Sequence, residues 1–308
     1  MTTQTVDPPA APQPVARPSL SLPEFVGLMA MLSATIAFSI DSMLPALPEI
    51  GRALSPEAPN AAQLVIVAFV FGMGVGTLFA GPLSDALGRK AVMLGGAGLY
   101  CAAAIWAAFA PSLEALLLAR VVQGLGASGP RVAAQAMIRD LYMGRGMAKV
   151  LSFVMMTFTL VPAIAPLMGA VIMAGFGWRG IFWAFVVFSI LSGGWLALRQ
   201  PETLPPDRRR PIRLAVLLAA MREVLGHANV RRAIATQTLV FGILFATITS
   251  VQPIYDLTFD AAESFPLWFG LVAVIAGSAS FLNARLVERL GMLWLLRRAL
   301  AAHLVLSV

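Results

Sequence analysis

Apolar residues in this chain are gathered into runs of about 20, the length at which a helix rising roughly 1.5 Å per residue spans a hydrocarbon core of roughly 30 Å. Eight such runs fall near Phe25 to Leu47, Ala62 to Ala80, Ala91 to Ala110, Leu113 to Ala134, Val150 to Ala174, Gly180 to Leu198, Ile234 to Ile254 and Pro266 to Ala284. Lipid offers backbone groups no partner, so each run must be helical. Composition agrees: 59% apolar and 12% charged over 308 residues, against roughly 45–50% and 25% in soluble domains. The expected fold is all-α, a polytopic membrane protein with a six-helix N-terminal bundle and an incomplete C-terminal bundle, making eight complete spans and a partial ninth.

Four regions follow. Residues 1–23 are rich in Pro, Thr and Ala, lack the basic start of a signal peptide, and read as a flexible tail. Residues 24–199 form the first bundle, 200–232 a basic linker, and 233–308 the incomplete second bundle. The linker holds the run Arg208 to Arg210 and turns amphipathic from Leu214 to Leu225, a pattern suited to an anionic leaflet surface.

Basic residues fix the expected orientation, because Lys and Arg near span ends stay on the cytoplasmic side. With the N-terminus inside, 18 of the 22 fall in cytoplasmic segments, among them Arg89, Lys90, Arg208, Arg209, Arg210, Arg297 and Arg298. The outer loops hold Arg52 and Arg179, while Arg120 and Arg131 lie within the fourth span. The net charge of +7 is therefore a topological signal and not a nucleic-acid patch. Cys101 stands alone, which excludes an intramolecular disulfide framework and a multi-cysteine metal site.

Ionisable side chains at membrane depth are functional candidates by default, since they cost at least roughly 2.5–3.5 kcal/mol to insert. Asp41 comes 16 residues after Phe25, about 24 Å up an outward-running helix. Arg120 comes seven residues after Leu113, about 10 Å down an inward-running one. The two share a depth and could face one aqueous cavity, each biasing the other's protonation. Against this stand structural readings. Asp41 could cap the first span beside Pro45 and Pro48, and Arg120 could anchor a neighbouring helix through backbone carbonyls. Gln123, one turn below Arg120, either extends the polar site or makes an interhelical hydrogen bond.

The segment from Gly81 to Lys90 reads GPLSDALGRK. Gly81 permits close approach, Asp85 can accept from a helix N-terminus, Gly88 allows a tight turn, and Arg89 and Lys90 anchor the next helix. Asp85-x-x-Gly88 recurs as Glu288-x-x-Gly291, with Leu before the glycine each time, 203 residues on. That is the spacing of a repeated six-helix unit. Gly72, Gly76, Gly124, Ala127 and Ser128 suit close helix packing. Phe38, Met43, Phe241, Phe245 and Gln252 are candidates to line an adaptable cavity, with core or lipid contact as the alternative.

Together these residues resemble the major facilitator superfamily and, within it, the Bcr/CflA-type drug:proton antiporters. The Gly81 to Lys90 loop resembles the signature between its second and third helices. Leu118 to Ala127, LARVVQGLGA, is similar to the fourth-helix antiporter motif, with Arg120 as its arginine. Ile40 to Pro48 is similar to the subfamily's first-helix motif, with Met43 where Tyr is usual. Pro162, Pro166 and Gly169 resemble the fifth-helix motif, with Ala165 and Ala170 replacing two of its glycines. Pro201 to Leu204 looks like the end of a first half. The resemblance implies proton-coupled efflux of drug-like or small organic compounds by alternating access. Asp41 would be the proton or cation site, Arg120 its coupling partner, and the Gly81 to Lys90 loop a latch.

No nucleophile elbow, HExxH or phosphate-cradling loop accompanies these features, so an enzyme is not expected. Neither is a metal or cofactor. Expected partners are a small-molecule substrate, protons and the lipid bilayer, with no nucleic acid. The chain is expected to be a monomer, multi-pass in the cell inner membrane with its N-terminus cytoplasmic. The family architecture has twelve helices, so a competing expectation is a shortened protein that does not transport alone. A carrier of another small metabolite is a further alternative.

Overall fold

The computed structural model describes residues 19–261 and 264–306; the expected tail, up to residue 18, lies outside the described residues. All regular structure among them is helical. Helix α1 (Leu22–Asp41) begins with Pro23 in its first turn, where a missing N–H is harmless. It stops at Asp41 because Pro45 cannot donate to the Asp41 carbonyl four residues back and its ring crowds that carbonyl. A 3-10 turn, Leu44–Ala46, and the short α2 (Leu47–Leu54) continue the path. The first run, expected to extend unbroken to Leu47, is thus interrupted at its candidate acid.

Helices α3 (Leu64–Leu87), α4 (Arg89–Ala108) and α5 (Leu113–Leu141) follow. Ser112 caps α5, its hydroxyl accepting from Ala115 N at 3.3 Å. Helix α6 (Gly144–Arg199) is two limbs, 144–176 and 178–199, meeting at Gly177 with φ 65° and ψ −179°. Only glycine occupies that conformation readily. Beyond the linker come α7 (Leu214–Gly226), α8 (Ala228–Leu257), α9 (Phe265–Leu290) and α10 (Met292–Leu306). Helix α5 runs past its expected end at Ala134, and α6 and α8 begin before Val150 and Ile234. Hydropathy marks the lipid-facing length, whereas hydrogen bonding carries a helix on into the polar interface.

Among the described residues five segments are long and apolar enough to cross a membrane: Leu22–Leu54, Pro59–Leu87, Arg89–Ala108, Gly144–Arg199 with both its limbs, and Ala228–Asp256. Helix α5 is long enough but carries Arg120, Gln123 and Arg131. In α9 the apolar stretch is Phe265–Ser278.

In lipid, helices associate through van der Waals packing and hydrogen bonds rather than through exclusion of water, so small residues let backbones meet. Helix α5 does this on two flanks. Toward α3, a Cβ on Gly72 would strike the Val121 carbonyl, and one on Gly124 the Phe69 carbonyl. Toward α4, a Cβ on Gly126 would sit 2.6 Å from Tyr100 N, and one on Gly96 2.6 Å from Gly126 O. Helix α1 lies along α6, with Phe38 edge-on to Phe185 at 5.4 Å. Helix α9 meets α6 where a Cβ on Gly270 would fall 2.7 Å from Ala163 O. Helix α8 lays Phe245, Ile248 and Val251 on the main apolar cluster. Phe71, Phe79, Ile190 and other large apolar side chains point outward, as lipid contact requires.

Candidate functional site

Two groups of the expected residues are drawn together, at opposite ends of the bundle. The first is centred on Arg120, which is fully buried. Its Nε donates to Val65 O of α3 at 3.1 Å, Nη2 to Ser39 O of α1 at 2.9 Å, and Nη1 to Gln123 Oε1 at 2.7 Å. The guanidinium lies over the Phe69 ring, 4.4 Å from its centroid. Ser39 Oγ bonds the Tyr100 hydroxyl of α4 at 2.5 Å, so four helices share one polar knot. Gln123 Oε1 is taken by Arg120 of its own helix, while its buried Nε2 meets no hydrogen-bond partner among the described residues.

Asp41 is 5% exposed, and no cation pairs with it among the described residues. Arg120 reaches α1 at Ser39 O, two residues before Asp41. Two residues turn a helix by about 200°, so Asp41 and Ser39 occupy opposite flanks. Arg120 therefore grips the backbone on one side and forms no ion pair with the acid on the other. Next to Asp41, the fifth-helix motif closes in: a Cβ on Gly169 would strike the Ser42 carbonyl. Pro166 and Pro162 sit one and two turns earlier within the same limb of α6.

Of the expected cavity residues, Phe38 and Met43 are buried in the apolar core, Phe38 against both Phe185 and Phe188. Phe241 is exposed and stacks on Phe245 at 6.2 Å. Gln252 is buried, its Oε1 without a hydrogen-bond partner among the described residues. A small cavity does adjoin the polar knot, but Leu32, Thr35, Ala97, Tyr100, Ala127, Pro130, Ser189 and Ser192 line it, and none of those five.

The second group surrounds Gly88, whose φ of 104° joins α3 to α4. Arg89 donates to Asp85, to Ser84 Oγ at 2.8 Å and to Asp140 Oδ2 of α5 at 3.1 Å. Thr203 Oγ1 donates to the same Asp140 oxygen at 3.1 Å. Asp85 was expected to cap the new helix, but that role falls to Glu202. Its carboxylate accepts Arg89 N at 2.9 Å and Lys90 N at 3.1 Å, while Asp85 pairs with Arg89. Lys90 Nζ reaches Ala197 O at 2.7 Å. Gly81 faces Val132 with room to spare, a Cβ there lying 4.0 Å from its Cγ1. Ser84 lies within the GPLSDALGRK segment and Glu202 and Thr203 within Pro201 to Leu204, but sequence could not pair the two segments or add Asp140, for these partners lie 51 to 113 residues apart. At the repeat Glu288-x-x-Gly291 the glycine again has a positive φ, 78°, and separates α9 from α10. The Glu288 side chain lies outside the described residues.

Apolar helices of membrane-crossing length, packed through glycine with a buried acid and a buried arginine between them, are those of a multi-pass membrane protein. The model of the Major Facilitator Superfamily matches residues 27–308, and the chain belongs to that superfamily. It is 31% identical over 284 residues to the bicyclomycin resistance protein homolog of Haemophilus influenzae, covering 90% of this chain and 70% of that one. It is 36% identical over 185 residues to the chloramphenicol resistance protein of Pseudomonas aeruginosa, covering 59% of this chain and 44% of that relative. Among solved structures, a D-xylose-proton symporter superposes with a TM-score of 0.66 at 14% identity, over 86% of this chain and 69% of that one.

Proposed function

We propose that the chain serves proton-coupled efflux of drug-like or small organic compounds by alternating access, in the inner membrane with its N-terminus cytoplasmic. The observation that carries this is Asp41, a buried carboxylate with no cation among the described residues. A carboxylate at membrane depth without a partner is held for a ligand. A proton and a cationic group on the substrate both suit it, and because either must displace the other, the site exchanges them. Arg120, tied to α1, α3 and Gln123, holds the helix that presents Asp41 rather than pairing with it. Gly81, Asp85, Gly88, Arg89 and Lys90 form a latch fastened by Asp140 and Glu202, and Pro162, Pro166 and Gly169 shape the limb packed on Ser42. The resistance-protein relatives support drug-like substrates.

The test is uptake of a fluorescent cation into inverted vesicles bearing the chain joined to the remaining length of such a relative. Uptake driven by an imposed proton gradient and lost in Asp41→Asn is expected. A rate indifferent to collapsing the gradient refutes the reading.

A second reading concerns the 308-residue chain alone. Only 6% of the apolar window of α8 is buried, so the second bundle does not by itself enclose a site against the first. The chain alone is expected not to transport. Uptake above empty vesicles, abolished by Asp41→Asn, would overturn this.

A further inference from the structure

Between the end of α3 and the linker lies an open crevice of about 440 Å³, walled by Pro82 and Asp85 on one side and by Arg210, Ile212, Arg213 and Leu217 on the other. Its volume falls within the roughly 300–1,000 Å³ of small-ligand pockets. The linker wall is fixed in place, since Arg210 N donates to Asp85 O at 2.9 Å. Arg210 and Arg213 are exposed and enter no ion pair among the described residues. The one acid in the wall does not neutralise them, because the Asp85 carboxylate is engaged by Arg89. Pro82, Ile212 and Leu217 make the rest apolar. Just beyond, α7 exposes Leu218, Val224 and Leu225.

We propose that this crevice binds an anionic phospholipid, its phosphate between Arg210 and Arg213 and its glycerol and upper acyl carbons against Ile212, Leu217 and Pro82. Guanidinium groups grip phosphate through paired N–H donors. A free anion would use the two arginines and leave the apolar walls bare, which is why the charge complementarity and the lining together favour a lipid. Bound there, the lipid joins the linker to the residues around Gly88, where Arg209 also lies.

The experiment is native mass spectrometry of the purified chain after exchange from mixed phosphatidylcholine and phosphatidylglycerol micelles. Retained phosphatidylglycerol is expected on the parent chain. With each basic residue at a membrane surface contributing about one kcal/mol, Arg210→Gln with Arg213→Gln should weaken retention roughly thirtyfold. Arg145→Gln with Arg222→Gln, equal in charge but outside the crevice, should leave it unchanged. Equal loss in both pairs overturns the proposal, as does displacement of the lipid by inorganic phosphate at the lipid's own concentration. Should the first pair not fold, a photoactivatable phosphatidylglycerol on the unaltered chain decides. Adducts on residues 82–85 and 210–217 support the site, and adducts confined elsewhere refute it.

Discussion

The Glu202 carboxylate accepts the backbone N–H of Arg89 at 2.9 Å across 113 residues of chain. Through it the segment that follows α6 caps α4, whose first residues, Arg89 and Lys90, close the Gly81 to Lys90 segment. Arg89 then turns its side chain to Asp85 and Asp140, so three stretches far apart in sequence are fastened at one end of the fold. A helix N-terminus favours a carboxylate through its unsatisfied N–H groups and its dipole, and Gly88 leaves room for it, since a Cβ there would meet Glu202.

Glu202→Ala is expected to strip that cap, which also serves the N–H groups of Thr203 and Leu204. Amide hydrogen exchange at Arg89 and Lys90 should accelerate, reflecting a local loss of roughly 1–3 kcal/mol, with Glu202→Gln intermediate. Unchanged exchange at both amides would contradict the assignment.

Arg120→Lys should lower the melting temperature of the detergent-solubilised protein despite keeping the charge. A single ammonium cannot reach Val65 O, Ser39 O and Gln123 Oε1 from one position as the planar fork does. Gln123→Leu removes the acceptor for Nη1 and should cost roughly 1–3 kcal/mol. A melting curve unmoved by both substitutions would mean the knot contributes nothing to stability.

Gly126→Ala should destabilise by about 1–3 kcal/mol, because the new Cβ falls 2.6 Å from Tyr100 N and neither backbone can yield without parting α4 from α5. Gly74→Ala is the control. Nothing lies within 4 Å of its added Cβ, and the same change should be neutral or slightly stabilising through helix propensity. Thermal unfolding that fails to separate the two would argue against the packing.

Asp41→Asn should leave thermal stability unchanged or raised, since no ion pair is lost and a charge is removed from a buried position. Asp140→Asn, by contrast, weakens a buried partner of Arg89 and should lower the melting temperature. A fall in both would indicate a cation bound to Asp41.

Much of the candidate site is visible in the residues themselves. Asp41 and Arg120 stand out because charge within apolar runs is rare, and Gly88 because it lies between two helical patterns. What escapes is the facing. The depth of Asp41 and Arg120 follows from counting residues, yet their failure to pair follows from a rotation of about 200° between Ser39 and Asp41 and from which flank α5 meets. Phe38 and Met43 illustrate the same limit: an aromatic and a thioether beside a buried acid suit a cavity wall, yet Phe38 packs on Phe185 and Phe188 of α6 and Met43 is buried in the apolar core.

By itself the sequence determined a helical membrane protein and the glycine turn at Gly88. Run length and a glycine between two helical patterns act within a few residues and need no partner, whereas the stop at Asp41 and the break at Gly177 became visible only in the fold. Tertiary structure alone decided which groups the charges serve. It gave Arg120 to two backbone carbonyls and a glutamine, gave Arg89 to Asp140 and the α4 N-terminus to Glu202, and left Asp41 unpaired among the described residues. Hydrogen bonds are short and directional, so their partners are chosen only once helices have packed and turned their faces to one another.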